Sequence, residues 1–100
     1  MGAWQFEWDP AKAESNRRKH GISFEEARSL FTSGAEYLEI LDLQHDEDED
    51  RYVAVGPVAR GILCVAFVER GENTLRIISA RRATRREAEL FRRTMEGDRT

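Results

Sequence analysis

The chain has 100 residues, of which 40% are apolar and 35% are charged, and its net charge is −3 at pH 7. This length predicts a single domain over residues 1–100 with a modest core. Apolar runs are too short for a membrane span, and the N-terminus lacks the regions of a signal peptide. The one cysteine, Cys64, excludes an internal disulfide, so we expect a cytoplasmic protein.

The first elements are a strand and a helix. Aromatic and polar residues alternate over positions 4–8, the period of a half-buried strand, and we expect its aromatic face to pack in the core. Asp9-Pro10 is a helix start signal and Gly21 a C-terminal cap, so a helix is predicted at about Pro10–His20.

A second helix is predicted at about Phe24–Thr32. Ser23 and Glu26 form a capping box at its start, and apolar residues then recur at helical spacing. Four strands follow, at Tyr37–Leu43, Arg51–Val58, Gly61–Glu69 and Thr74–Ala80, separated by the acidic loop Gln44–Asp50 and by two short turns. The third of these strands is apolar throughout, so we expect it to lie centrally, buried on both faces.

The last element is a helix at about Arg85–Met95, which the capping box formed by Thr84 and Glu87 opens. Consecutive strands joined by short loops predict an antiparallel meander. The fold class is therefore α+β, with two N-terminal helices and one C-terminal helix covering one face of the sheet.

The strongest functional signal is a group of basic residues near the C-terminus. Five arginines fall between positions 76 and 86 of an acidic chain. Guanidinium groups bind phosphate bidentately and stay charged at physiological pH. An RNA backbone is thus the leading ligand, and the predicted phosphate-binding residues are Lys12, Arg51, Arg76, Arg82, Arg85 and Arg86.

RNA cleavage also needs proton transfer and stabilisation of a crowded phosphorane. His20 is the natural proton carrier, because histidine is the residue type suited to proton transfer near neutral pH, although its position also suits a helix C-terminus. Together with Lys19 and Arg81 it forms the predicted catalytic set. If the last strand runs on to residue 81, strand alternation places Arg76 and Arg81 on opposite faces, so that only one of them lines a given site. Glu87 has two interpretations, a general base or a partner of Thr84 in the capping box, and the capping box is favoured because it accounts for Glu87 without catalysis.

Neither a metal nor another cofactor is predicted. One cysteine and two histidines cannot form a tetrahedral zinc site. A metal-dependent nuclease using acids 46–50 is a weak alternative, because consecutive loop acids without a second cluster make a poor two-metal site. The same acids have three other interpretations: a solvated loop, a dock for a basic partner segment, or a restraint on RNA binding.

The sequence resembles the BrnT family of toxins from type II toxin–antitoxin systems. The similarity covers about residues 6–93 and rests on two motifs. The N-terminal motif comprises Phe6-Glu7-Trp8-Asp9, Lys12, Asn16, Lys19-His20-Gly21 and Phe24-Glu25-Glu26-Ala27, and the C-terminal motif is Arg76-Ile77-Ile78-Ser79-Ala80-Arg81-Arg82-Ala83-Thr84. The acidic loop with Arg51 also fits.

The resemblance implies a RelE-like ribonuclease fold, RNA cleavage and growth arrest. It further implies neutralisation by a BrnA-like ribbon-helix-helix antitoxin, with promoter DNA bound only through the toxin–antitoxin complex. The rival interpretation is a non-catalytic nucleic-acid or protein-binding module that uses the same basic surface.

Overall fold

The computed structural model describes residues 4–42 and 51–97, which form one sheet and three helices. In chain order the elements are β1 (Gln5–Glu7), α1 (Pro10–His20), α2 (Phe24–Thr32), β2 (Leu38–Asp42), β3 (Arg51–Val58), β4 (Gly61–Arg70), β5 (Thr74–Arg82) and α3 (Arg85–Gly97). The predicted α+β class and element order are confirmed. The acidic run at 46–50 lies outside the described residues, so its predicted loop and roles stay predictions.

The sheet has the strand order β1-β5-β4-β3-β2. Strands β2 to β5 form the predicted antiparallel meander. β1 pairs in parallel with β5, opposite residues 74–76, which makes the sheet mixed. As predicted, β4 is central, and its consecutive residues Leu63, Cys64 and Val65 are all buried. Burial at adjacent positions means that both faces of β4 are covered, because neighbouring side chains point to opposite faces.

One face of the sheet packs against α1 and α2, and we call it the α1/α2 face. Its β4 residues are Leu63, Val65 and Phe67, which join the main core with Phe24 and Leu30 of α2. Phe6 and Trp8 pack against this core as predicted, with ring centroids 5.8 Å from those of Phe31 and Phe24 respectively. Trp4 is 41% exposed, since β1 begins one residue after it.

The third helix lies on the other face, which we call the α3 face and which carries Cys64, Ala66 and Val68 of β4. α3 packs against β3 and β2, and Cys64 lies close enough to Glu87 for that carboxylate to affect the pKa of its thiol. The expectation that all three helices cover one face is therefore wrong for α3. α3 has a strongly apolar side but no fully buried residue, because it covers only part of its face.

The predicted helix boundaries are confirmed by the capping bonds. Asp9 Oδ1 accepts a hydrogen bond from the N–H of Ala11 at 2.9 Å, and Gly21 ends α1 with φ 72°. Ser23 Oγ accepts from the N–H of Glu26 at 3.0 Å. The reciprocal half of this capping box is replaced, because the Glu26 carboxylate binds Arg60 at 2.7 and 2.8 Å.

Candidate functional site

A β-bulge in β5 decides which arginines share a face. Cys64 lies opposite Arg81 and Val68 lies opposite Arg76, but the register shifts by one residue between Ala66 and Phe67. Ile78 is the extra residue, since Ser79 and Ile77 are opposite consecutive positions of β4. Arg76 and Arg81 therefore both point to the α3 face, and the sequence-based expectation that they face opposite ways is wrong.

Arg51 and Arg76 flank Val68 on this face. Arg51 lies opposite Val68 on β3, and Arg76 lies opposite it on β5. Val68 is only 2% exposed between them. Arg76 Nη1 lies 3.1 Å from Glu7 Oε2, whereas the Nε of Arg51 is buried and makes no hydrogen bond to any residue that the structure describes. A desolvated donor without an acceptor is costly, so this group would gain from an anionic ligand.

Arg81 forms a bidentate pair with Glu87. Its Nη1 and Nη2 each donate to the carboxylate at 2.8 Å. Glu87 also accepts from the N–H of Thr84 at 2.9 Å and completes the predicted capping box, because its own N–H donates to Thr84 Oγ1. The hydrogen bonds from Arg81 are the largest reason why the pKa of Glu87 falls to about 2.

This pair changes what the two side chains can do. Glu87 is ionised at neutral pH and its oxygens are occupied, so it is a weak base and acts to hold Arg81. The terminal nitrogens of Arg81 are hydrogen-bonded to the Glu87 carboxylate and do not point into solvent. Among residues 4–42 and 51–97 its Nε–H has no acceptor. The hydrogen bonds to Glu87 raise the pKa of the Arg81 guanidinium, so its charge is permanent. Whether Arg81 contacts RNA stays a prediction.

Asn16 joins α1 to the end of β5, a role that the sequence reasoning missed. It is 7% exposed. Its Nδ2 donates to the carbonyl oxygens of Ala80 (2.8 Å) and Ile22 (3.0 Å), and its Oδ1 accepts from the N–H of Ala80 (3.1 Å). The amide thus pairs with Ala80 as a neighbouring strand would, beyond the point where β1 stops. The sequence signal for this role is that α1 has no apolar stripe to pack against the sheet. In the structure, the one buried residue of α1 is the polar Asn16.

The basic residues of α1 lie within one helical turn of Asn16. His20 lies four residues after Asn16 and Lys12 four residues before it, so both belong to the same side of the helix. Lys19 lies three residues after it. All three side chains are exposed, and in the described ranges none forms a hydrogen bond or ion pair. The hydrogen bonds of Asn16 therefore hold the helix that carries these three residues against the edge of β5 at Ala80, while the neighbouring Arg81 points to the α3 face.

The remaining predicted arginines lie apart from Arg81. Arg82 is opposite Leu63 of the main core, so it points to the α1/α2 face, where its Nη1 donates to the carbonyl of Arg60 at 3.2 Å. Arg85 and Arg86 are exposed in the first turn of α3. The predicted site thus divides into an α3-face group, a group on α1, and Arg82 on the α1/α2 face.

Across residues 4–42 and 51–97, no three His, Cys, Asp or Glu side chains form a group able to hold a metal ion. None of the three helices in this part of the chain has the length and apolar character needed to cross a membrane.

Comparison with known proteins identifies the family. Residues 8–87 match the family described as the ribonuclease toxin BrnT of type II toxin–antitoxin systems. No curated protein sequence matches the chain. The crystal structure of the Brucella abortus ribonuclease toxin BrnT, at 1.1 Å resolution, is similar with a TM-score of 0.61 and 27% sequence identity, over 83% of this chain and 100% of that one. Since the family match spans most of the sequence, the chain belongs to the BrnT family of ribonuclease toxins.

Proposed function

We propose that this protein is a cytoplasmic endoribonuclease that cleaves RNA without a metal ion and thereby arrests growth. The 2′-hydroxyl of one nucleotide attacks the adjacent phosphate, and the bond to the 5′-oxygen breaks. One product then ends in a 2′,3′-cyclic phosphate and the other in a 5′-hydroxyl. The observation that supports this proposal is the set of hydrogen bonds between Asn16 and Ala80, which hold α1, the helix that carries His20, against the edge of β5 one residue before Arg81.

The proposed roles follow from position and chemistry. His20 transfers the proton, because imidazole accepts and donates protons near neutral pH. Arg81, which Glu87 holds in place, stabilises the phosphorane with its permanent charge and its Nε–H. Lys19, next to His20, adds a second positive charge close to the reacting phosphate.

The other basic residues bind the phosphates that flank the cleaved bond. Arg51 and Arg76 extend the cationic surface along the α3 face, and the unpaired Nε–H of Arg51 supports a role in anion binding. Arg85 and Arg86 stand at the start of α3, where the helix dipole also attracts anions. Lys12 and Arg82 serve phosphates on the α1 side. These assignments are proposals, which variants of each residue will test.

We further propose that a BrnA-like ribbon-helix-helix antitoxin neutralises the toxin by covering these basic residues. In this proposal the free toxin does not bind promoter DNA, and the complex does so through the antitoxin.

The test is cleavage of single-stranded RNA by the purified protein in excess EDTA, with analysis of the product ends. We expect cyclic phosphate and 5′-hydroxyl ends. Strict dependence on added Mg²⁺ would contradict the metal-free mechanism. RNA binding without any cleavage would instead favour the non-catalytic binding module.

Variants test the two principal residues. His20→Gln is expected to lose about 10²–10⁴ in rate, and Arg81→Lys about 10²–10³, because lysine lacks the planar group with several donors. Arg28→Lys on α2, an exposed arginine without a proposed role, is the matched control. Glu87→Gln shows how much of the Arg81→Lys effect comes from losing their pair. Full activity of folded His20→Gln and Arg81→Lys proteins would remove both residues from the site.

A further inference from the structure

The outermost strand, β2, has an apolar surface on both of its faces. Ile40 is 41% exposed and Leu41 is 44% exposed, and they are adjacent in the sequence. Ile40 lies opposite Val53 and Leu41 opposite Tyr52, so the two side chains point to opposite faces of the sheet. Among the described residues, only Trp4 and Leu90 are other large apolar side chains with comparable exposure.

The backbone of β2 is also open along one edge. β2 pairs with β3 on one side and ends the sheet on the other, and no strand in residues 4–42 and 51–97 pairs with its outer edge. Unpaired N–H and C=O groups on an edge strand invite pairing with another chain, and proteins usually limit this with charges, proline or a covering segment. Two adjacent exposed aliphatic residues make the edge of β2 more receptive, as in β-strand addition.

The charges around β2 indicate the chemistry of the added strand. Glu36 and Glu39 are exposed, and neither is in an ion pair within the described part of the chain. Burial chiefly, and the like charge of the nearby Glu69 in second place, raise the pKa of the Glu39 carboxyl. By sequence, Asp42 and the acids at 46–50 follow. A basic segment would relieve this repulsion, whereas a second copy of the same strand would increase it.

We propose that β2 binds an extended segment of the antitoxin, which adds a sixth strand to the sheet and carries aliphatic residues together with lysine or arginine. The aliphatic residues cover Ile40 and Leu41, and the cations lie near Glu36 and Glu39. This proposal rests on the proposed neutralisation by an antitoxin, and it locates part of the interface away from the arginines of the α3 face.

The test uses the full chain and its cognate BrnA-like antitoxin, and it measures hydrogen exchange of the β2 amides with and without that partner. We expect the segment Leu38–Asp42 to become protected on binding. Protection confined to the arginines of the α3 face would overturn the proposal. Dimerisation of the toxin alone, with the same β2 protection, would also overturn it, because the occupant would then be a second copy.

Affinities of variants give an independent test. Ile40→Lys, Leu41→Lys and Glu39→Lys should each weaken antitoxin binding by roughly tenfold or more, as expected for central interface residues. Leu90→Lys, an equally exposed leucine on α3, should change it by less than about threefold. Equal effects at β2 and at Leu90 would contradict the proposal, as would unchanged affinity of folded β2 variants.

RNA cleavage by the free toxin separates this proposal from the proposed function. The β2 variants should cleave RNA at the wild-type rate and should resist inhibition by the antitoxin. If neither the wild type nor any variant cleaves RNA, but the antitoxin still protects β2, the docking proposal survives and the proposed function fails. If cleavage is normal and β2 stays unprotected, the docking proposal fails alone.

Discussion

Replacing Asn16 with leucine is expected to destabilise the protein strongly. Leucine is close to asparagine in length but cannot make hydrogen bonds. The change would leave the N–H and C=O of Ala80 and the C=O of Ile22 without their present partners, at a position where Asn16 is 7% exposed. β1 cannot replace the lost bonds, because it pairs with β5 only at residues 74–76.

The magnitude follows from these three contacts. A buried backbone group that loses its partner costs about 1–3 kcal/mol. Burial of the leucine side chain returns about 1.5–3 kcal/mol, and some of the exposed groups will reach water as α1 relaxes. The net loss is therefore about 2–4 kcal/mol. This is a large fraction of the roughly 5–15 kcal/mol that keeps a typical domain folded.

The assay is urea denaturation at neutral pH, followed by circular dichroism, for the wild type, Asn16→Leu and Ser15→Ala. Ser15 is the exposed neighbour on the same helix, so its variant should stay within about 0.5 kcal/mol of the wild type. The same Asn16→Leu protein should also cleave RNA more slowly under conditions where it is folded, because His20 loses its fixed position. A destabilisation under about 1 kcal/mol would refute the conclusion that the hydrogen bonds of Asn16 hold α1 against β5.

Three further outcomes are expected. Because the pKa of Glu87 is lowered to about 2 from 4.5, its pairing with Arg81 stabilises the protein above about pH 4.5, and this stabilisation is lost as the pH falls towards 2. Acid titration monitored by circular dichroism should therefore show a steeper loss of stability in the wild type than in Glu87→Gln across this pH range. Parallel curves for the two proteins would contradict the prediction. Gly56→Ala should cost about 1–3 kcal/mol in urea denaturation, since a Cβ there would stand 2.6 Å from Tyr37 Cβ, and an unchanged midpoint would argue against this close approach. Burial raises the pKa of the Cys64 thiol, so a disulfide exchange reagent should label it quickly only in denaturant; rapid labelling of the native protein is the opposing result.

The helix boundaries could be predicted because their causes are local. Asp9, Gly21 and Ser23 each form, in the structure, the capping interaction that their residue type predicts. The central position of β4 was predictable for a similar reason, since an apolar run without alternation suits a strand that is covered on both faces. Such signals depend on neighbouring residues and need no knowledge of the rest of the chain.

Long-range contacts were not predictable in the same way. The parallel pairing of β1 with β5 joins residues about seventy positions apart, and no local pattern specifies it. Asn16 belongs to the quoted N-terminal motif, but its bonds to Ala80 depend on where α1 meets the sheet. The position of α3 on the opposite face of the sheet was also missed. The apolar stripe of α3 indicates that one side of the helix packs against the protein, but it does not indicate which face of the sheet that side contacts.

The bulge at Ile78 shows how one such contact alters a functional hypothesis. Arg76 and Arg81 are five residues apart, so regular alternation separates them, and the single extra residue brings them to the same face. The same shift sends Arg82 to the α1/α2 face, opposite Leu63. Arg81 and Arg82, which the sequence predicted to act on the same RNA, therefore occupy different surfaces. Since bulges commonly re-aim side chains near functional sites, the α3 face, with Arg51, Arg76 and Arg81, is the stronger candidate for the RNA surface, and losing Arg81 should affect cleavage more than losing Arg82.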